Sequence, residues 1–153
     1  MIISTTNLQE IRNQIQKAKK TNINEIIIVK SGDEEFNRKL LEIKGVNILL
    51  SPELHNRKDK LKQRDSGLNE FLCKLAAKNN IKIAIDVQEI ASLPSLQKAK
   101  TLARVIQNIQ LCKRTKTQII LYPENKYKKQ DVISFITTLK GSTEQANKSI
   151  LQK

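Results

Sequence analysis

One segment of the chain is strongly basic: five of the eight side chains between residues 57 and 64 are Lys or Arg. These cations are Arg57, Lys58, Lys60, Lys62 and Arg64. Positive charge at this density attracts phosphate groups. The segment follows an apolar run, Val46–Leu50, that is predicted to be a strand, and α/β folds usually place their sites at the carboxyl ends of strands. We therefore predict that the five cations bind the phosphates of a nucleic acid; the alternative is a solvated loop without a ligand.

A candidate phosphate pocket follows directly, formed by Asp65, Ser66 and Gly67. The pattern predicts that these residues open a helix, whose unpaired backbone N–H groups and dipole would favour a phosphate beside Arg64. Alternatively, Asp65 or Ser66 only caps the helix by accepting hydrogen bonds from those N–H groups. Arg64 is the stronger candidate for contact with RNA.

Further cations lie in the longest predicted helix, in the turn beyond it and in the loop after the fifth predicted strand. They are Lys98, Lys100, Arg104, Lys113, Arg114 and Lys116, followed by Lys126, Lys128 and Lys129. Loops at the carboxyl ends of parallel strands open on one face, so three basic elements are predicted to converge on one surface that contacts a phosphate backbone. Tyr122 and Tyr127 flank the last loop and either stack on unpaired bases or pack against the protein.

Residues that could catalyse a reaction by themselves are scarce. The one histidine, His55, lies in the basic loop and is predicted to be a polar surface group, and the aspartates are scattered without metal-binding spacing. No nucleophile elbow, Walker loop or dinucleotide-binding turn is present. We therefore predict no catalytic residue, no metal site and no cofactor bound by the protein. Cys73 and Cys112 lack a C-x-x-C spacing and are predicted to be reduced, buried thiols.

Alternating apolar patterns predict an α/β fold with mostly parallel strands and outer helices. The predicted strands are Met1–Ser4, Glu25–Lys30, Val46–Leu50, Ile81–Val87 and Gln118–Tyr122. The predicted helices are Leu8–Lys20, Gly32–Lys44, Leu68–Lys78, Leu96–Lys113, Gln130–Leu139 and Ser142–Leu151. A closed eight-unit barrel typically takes ~250 residues. The 153 residues therefore predict a single domain, residues 1–153, that forms either a small or partial TIM-like (β/α) barrel or an open sheet.

In the longest predicted helix, the apolar spacing predicts which side faces the core. The predicted core side holds Ala99, Leu102, Ala103, Ile106, Ile109 and Cys112. The predicted solvent side holds Lys100, Arg104, Gln107 and Asn108. Lys100 and Arg104 are therefore expected to be free to contact RNA.

The positive charge is unevenly distributed. The chain carries 28 Lys and Arg against 15 Asp and Glu, a net charge of +13, whereas residues 1–56 hold eight basic and seven acidic side chains. Almost all of the excess thus belongs to the remaining 97 residues, which favours a polyanionic partner over a generally basic surface. No basic amphipathic helix with an aromatic insertion face, apolar run of ~18 residues or signal-peptide pattern is present, so we expect a cytoplasmic protein without membrane contact.

Four stretches of sequence carry a resemblance to a known family. They are Ile48-Leu49-Leu50-Ser51-Pro52, Arg57-Lys58-Asp59, Arg64-Asp65-Ser66-Gly67-Leu68-Asn69-Glu70 and Cys73-Lys74-Leu75-Ala76-Ala77-Lys78-Asn79-Asn80. The resemblance continues through Ala99-Lys100, Leu102-Ala103-Arg104, Gln107-Asn108, Leu111-Cys112 and Asp131-Val132-Ile133-Ser134. Over roughly residues 45–140, the chain resembles ribonuclease P protein component 3, the archaeal counterpart of the eukaryotic thirty-kilodalton subunit.

This resemblance implies a TIM-like barrel related to the PHP phosphoesterases but without their metal site. It also implies a subunit that binds ribonuclease P RNA together with protein component 2, as a heterotetramer, and supports removal of the 5' leader from precursor tRNA. The RNA would perform the hydrolysis with magnesium ions, and precursor tRNA would be contacted indirectly. Arg57, Lys58, Arg64 and Arg104 lie within the matching motifs. The alternatives are another RNA-binding α/β protein, such as a ribosome-associated one, and a degenerate PHP-like phosphoesterase.

Overall fold

Five parallel strands form one sheet in chain order in the computed structural model, which describes residues 1–59, 61, 64–123 and 126–150. The strands are β1 (Ile2–Ile3), β2 (Ile28–Lys30), β3 (Ile48–Leu50), β4 (Lys82–Asp86) and β5 (Ile119–Tyr122). Each lies within a predicted strand, and the prediction of an α/β fold with parallel strands is confirmed. β1 and β5 end the sheet, so the described part of the chain forms an open five-stranded sheet and not a closed barrel.

Seven helices connect or follow these strands in the described ranges. They are α1 (Leu8–Thr21), α2 (Glu34–Leu41), α3 (Glu70–Lys78), α4 (Val87–Ser92), α5 (Ser95–Thr115), α6 (Lys129–Thr138) and α7 (Thr143–Lys148). The sequence did not predict α4, because its six residues are too few to show a helical period. Across the part of the chain that is described, none of the helices combines the length and apolarity needed to cross a membrane.

The sheet is largely apolar on both faces, as is usual for parallel strands. One face carries Val29, Leu49 and Ile83, which are fully buried in a large cluster together with helix residues. The opposite face has a small cluster made only of strand residues. Cys73 and Cys112 are free and buried in the large cluster, so their predicted burial is confirmed.

The buried side of α5 differs from the prediction. Arg104 and Asn108, predicted to face solvent, are 7% and 0% exposed, whereas Ala99, predicted to face the core, is exposed. Val105 and Ile109 are fully buried beside the two polar residues. The apolar spacing was misleading because the helix also packs against a long loop whose backbone carbonyls need hydrogen-bond donors.

That loop requires glycine at position 67. Gly67 has a φ of +79°, and a Cβ atom there would lie 1.8 Å from the backbone oxygen of Pro52. A side chain would therefore be strained by its backbone conformation and would also push the two ends of the loop apart.

We expect Gly67→Ala to lower the free energy of unfolding by about 2 kcal/mol or more, because a left-handed conformation and a backbone clash combine. Urea denaturation followed by circular dichroism measures this difference. The control is Ser134→Ala on the exposed side of α6, which should change the stability by less than about 0.5 kcal/mol. Equal stability of the two variants would contradict the proposed strain.

Candidate nucleic-acid interface

The predicted basic elements begin at one edge of the sheet, the carboxyl edge, where the parallel strands end. The β3–α3 loop, residues 51–69, leaves this edge after β3, and residues 123–128 leave it after β5. Helix α5 follows α4 and β4, so its first turns start on the same side and its last turn lies towards the amino edge, where β5 begins. The loop and the amino-terminal half of α5 therefore lie together, as the sequence predicted.

Arg104 fastens the β3–α3 loop to α5. Its Nη1 donates to the backbone oxygens of Glu53 and His55 at 3.4 and 3.0 Å, and its Nη2 donates to the backbone oxygen of Arg57 at 3.0 Å. The Asp59 carboxylate accepts from Nη2 at 3.1 Å and from Nε at 3.3 Å. The prediction that Arg104 faces solvent is therefore wrong, because this guanidinium is buried in contacts within the protein.

Arg57 is also engaged within the loop. Its guanidinium forms a bidentate salt bridge with Asp65, with Nε–Oδ2 at 2.8 Å and Nη2–Oδ1 at 3.3 Å. The hydrogen bond from Arg57 and that from the Gly67 backbone N–H hold the pKa of Asp65 at about 2. The Arg57 side chain is partly exposed, but its charge is offset by this carboxylate, so Arg57 is a weaker RNA-binding candidate than the sequence suggested.

Asp65, Ser66 and Gly67 do not form the predicted pocket at a helix amino terminus. Helix α3 begins later, at Glu70, and the side chain of Asn69 caps it by accepting a hydrogen bond from the backbone of Leu72. Ser66 and Gly67 are buried, and Asp65 is held by Arg57. These three residues therefore form no phosphate pocket, because their polar groups form hydrogen bonds within the loop.

His55 was predicted to be a surface group, and this is wrong. Its side chain is 9% exposed, its Nδ1 accepts from the Arg57 backbone N–H at 3.2 Å, and its Nε2 lies 2.8 Å from the Asp65 backbone oxygen. These contacts require the proton on Nε2. Burial and the neighbouring charges of Arg57 and Arg104 lower the pKa of His55, so the ring is neutral at pH 7.

Glu53 of the loop and Asn108 of α5 are both fully buried. Asn108 donates to the backbone oxygen of Ser66 at 3.0 Å, while its Oδ1 and both carboxyl oxygens of Glu53 find no partner among the described residues. Burial raises the pKa of Glu53 to about 8, and the carboxylates of Glu89 and Asp86 contribute in the same direction. At pH 7 the carboxyl group is thus mostly protonated. Sequence reasoning missed this buried carboxyl group, because a glutamate after a strand usually faces solvent.

Six of the predicted cations are exposed around the carboxyl edge. They are Lys58, Arg64, Lys100, Lys126, Lys128 and Lys129, which together are called the carboxyl-edge surface below. None forms an ion pair with a carboxylate in the described ranges. Lys60 and Lys62 lie outside the described residues. Among the described residues, these cations need not first leave a carboxylate, so this surface can neutralise phosphates at little cost.

The two tyrosines pack against the protein. Tyr127 joins the large core cluster and its hydroxyl group is buried, and Tyr122 packs against the small cluster of strand residues. Within the described ranges, no group of three or more His, Cys, Asp or Glu side chains is placed to hold a metal ion. The geometry of the carboxyl edge therefore suits contact with phosphates more than stacking on bases.

Lys113, Arg114 and Lys116 do not join the carboxyl-edge surface. Helix α5 has 21 residues, which at about 1.5 Å per residue makes it roughly 30 Å long. Lys113 and Arg114 lie in its last turn and Lys116 caps its carboxyl end, just before β5 begins. The prediction that the basic elements converge on one surface is therefore correct for the first half of α5 and wrong for its second half.

We expect Arg104→Ala to lower the free energy of unfolding by about 3 kcal/mol, because it leaves Asp59 and several carbonyl groups without their donor. Lys100→Ala, one turn earlier on the same helix and exposed, should change stability by less than about 0.5 kcal/mol. Chemical denaturation of both variants measures the difference. A destabilisation of Arg104→Ala no larger than that of Lys100→Ala would contradict the structural role of Arg104.

The raised pKa of the buried Glu53 carboxyl group makes the free energy of unfolding depend on pH. Between its unfolded pKa near 4.5 and its folded pKa of about 8, the folded protein holds a proton that the unfolded chain has lost. Raising the pH through this window therefore destabilises the protein, and Glu53→Gln should remove that loss. The stability gained by Glu53→Gln should grow from pH 5 to pH 8 in denaturation series, with Glu42→Gln at an exposed position as the control variant. A constant gain across these pH values would contradict the burial of a protonated Glu53.

Comparison with known proteins identifies relatives, although no protein-family model matches the chain. Ribonuclease P protein component 3 of Methanococcus maripaludis strain C7 is 29% identical over 119 residues, which covers 78% of this chain and 47% of the relative. Its counterpart from Methanocaldococcus jannaschii is 27% identical over 142 residues, covering 90% and 57%. The chain thus spans about half the length of the curated relatives it matches.

A solved structure shows the same fold. A chain in the cryo-EM structure of archaeal ribonuclease P with mature tRNA superposes with a TM-score of 0.76 at 24% identity, covering 96% of this chain and 62% of that chain. At this identity the superposition supports the fold. The resemblance to ribonuclease P protein component 3 that the sequence motifs indicated is confirmed by the curated relatives.

Proposed function

We propose that this chain is a protein subunit of an archaeal-type ribonuclease P, which binds the catalytic RNA and supports endonucleolytic removal of the 5' leader from precursor tRNA. The observation that carries the proposal is the match of 119 residues, 78% of the chain, to ribonuclease P protein component 3. The exposed cations of the carboxyl-edge surface support it, since they suit a polyanionic partner.

The subunit would act by stabilising an RNA fold. Cations of the carboxyl-edge surface neutralise phosphates that repel one another when the RNA becomes compact, so less magnesium is needed for the same fold. The β3–α3 loop presents Lys58 and Arg64 on a backbone fixed by Arg104. In this proposal the hydrolysis belongs to the RNA and its magnesium ions, and the protein binds no cofactor and holds no catalytic residue.

Protein component 2 is the proposed protein partner, and the family resemblance supports it. In this arrangement two copies of each component form a heterotetramer, and precursor tRNA is contacted indirectly through the assembled RNA. The proposed location is the cytoplasm, where an archaeal cell keeps its precursor tRNA.

Reconstitution tests this function. Precursor tRNA is incubated with the catalytic RNA and component 2 at limiting magnesium, with and without this chain, and leader release is measured. We expect stimulation only in the complete mixture and no cleavage by the protein alone. If a known component 3 stimulates the same mixture and this chain does not, the proposal fails. Cleavage by the protein alone, after nuclease removal of RNA, would favour a phosphoesterase.

The carboxyl-edge surface predicts how RNA binding depends on salt. Replacing Lys100, Lys128 and Lys129 together by Ala should reduce the slope of log affinity against log salt by about two to three, because fewer counterions are released. Filter binding with the catalytic RNA at several salt concentrations measures this slope.

A matched control variant removes the same number of positive charges from another part of the chain. Arg12, Lys17 and Lys20 are exposed on α1, and replacing them together by Ala should leave the slope close to that of the unaltered protein. Equal reductions in the two triple variants would show that net charge alone, and not the carboxyl-edge surface, governs binding.

A further inference from the structure

A second basic surface lies at the amino edge of the sheet, where β4 and β5 begin. A groove of about 1170 Å³ opens there between the starts of these strands, the end of α5 and helix α7. Its lining includes Lys82, Lys113, Lys116 and Lys148, together with the amides of Gln118 and Asn147. These lysines come from three separate elements, so the fold and not the local sequence brings them together.

The groove walls are held by specific contacts. Lys116 ends α5 in a left-handed conformation, and the following Thr117 donates its hydroxyl to the backbone oxygen of Cys73 at 2.8 Å. Gln118 donates to the backbone oxygen of Lys148 at 2.7 Å, which ties the end of α7 to the start of β5. The backbone positions of these lysines are therefore fixed before any ligand arrives.

The lining carries four lysines against one carboxylate. Glu144 pairs with Lys148 at 2.6 Å, and its pKa is lowered by that lysine and, more weakly, by Lys116. Lys82 and Lys113 form no ion pair with a carboxylate in the part of the chain that the structure describes. The groove thus has an excess of positive charge together with amide groups that donate and accept hydrogen bonds.

The chemistry of this lining indicates the ligand. Phosphate oxygens and sugar hydroxyl groups are contacted by lysine ammonium groups and by side-chain amides. Base recognition in single-stranded RNA usually adds aromatic side chains for stacking, and the groove lining contains none. The lining therefore suits a sugar–phosphate backbone and not a stacked base.

We infer that the amino-edge groove is a second RNA-binding site, which holds the sugar–phosphate backbone of a segment different from the one at the carboxyl-edge surface. This inference rests on the proposed function insofar as RNA is the ligand. The two sites lie towards opposite ends of α5, where Lys100 and Lys113 are separated by roughly 20 Å along the helix axis. The chain then links two RNA segments.

The test compares two triple variants of the full chain, each with the catalytic RNA. The groove variant is Lys113→Gln, Lys116→Asn and Lys148→Gln, in which Asn tolerates the left-handed conformation of residue 116. The other is the Lys100, Lys128 and Lys129 variant described above. Hydroxyl-radical footprinting locates the protected nucleotides, and filter binding gives the salt slope.

We expect the groove variant to lose protection of one RNA segment and to reduce the salt slope by about two to three. The carboxyl-edge variant should lose protection of a different segment. A single Lys113→Arg variant, which keeps the charge, should retain the groove footprint, whereas Lys113→Gln should weaken it without unfolding the protein.

Unchanged footprint and slope in the groove variants, with loss in the carboxyl-edge variant, would overturn the second site and leave the proposed function intact. If the unaltered chain itself protects no segment of the catalytic RNA, the proposed function fails instead. Loss of binding to component 2 with an unchanged RNA footprint would show that the groove holds a protein, and would also overturn the inference.

Discussion

The buried guanidinium of Arg104 is the interaction on which the candidate interface depends. The β3–α3 loop leaves the sheet and exposes carbonyl groups that neither a strand nor a helix satisfies, and one side chain of α5 donates to three of them. Burying a cation is costly unless a carboxylate shares the site, which Asp59 does. Because Lys58 and Arg64 lie on this loop, their positions relative to α5 depend on a residue that does not itself face solvent.

The cations of the basic segment therefore fall into two groups, those that pair with a carboxylate and those that do not. Arg57 pairs with Asp65 within the loop, and Arg104 of α5 pairs with Asp59 of the same loop. These two ion pairs hold the loop in its conformation. Lys58 and Arg64 are exposed and form no such pair among the described residues. A basic loop without Asp59 and Asp65 would present more positive charge but would lack a fixed backbone from which to present it.

The sequence predicted the five strands and the parallel sheet because each strand lies in a short apolar run, and β3, β4 and β5 are buried on both faces. It could not predict the whole buried side of α5. Ile109 and Cys112 are buried as predicted, but Leu102 and Ile106 are as well spaced as Val105 for facing the core with them. Only the long loop decides between them, by requiring donors from Arg104 and Asn108. The pattern thus placed the loop and the first half of α5 together at the carboxyl edge, as observed, but misassigned the residues of α5 that hold the loop.

Two basic surfaces at the ends of one helix would constrain the relative positions of two RNA segments, which diffusible cations cannot do. Helix α5 is a rigid connection, so an RNA segment bound at the carboxyl-edge surface fixes where a second segment must lie to reach the amino-edge groove. The second contact then forms at a high effective concentration, because the first contact already holds the RNA close to the groove. Under the proposed function, the chain would in this way favour one compact RNA fold over others of equal charge.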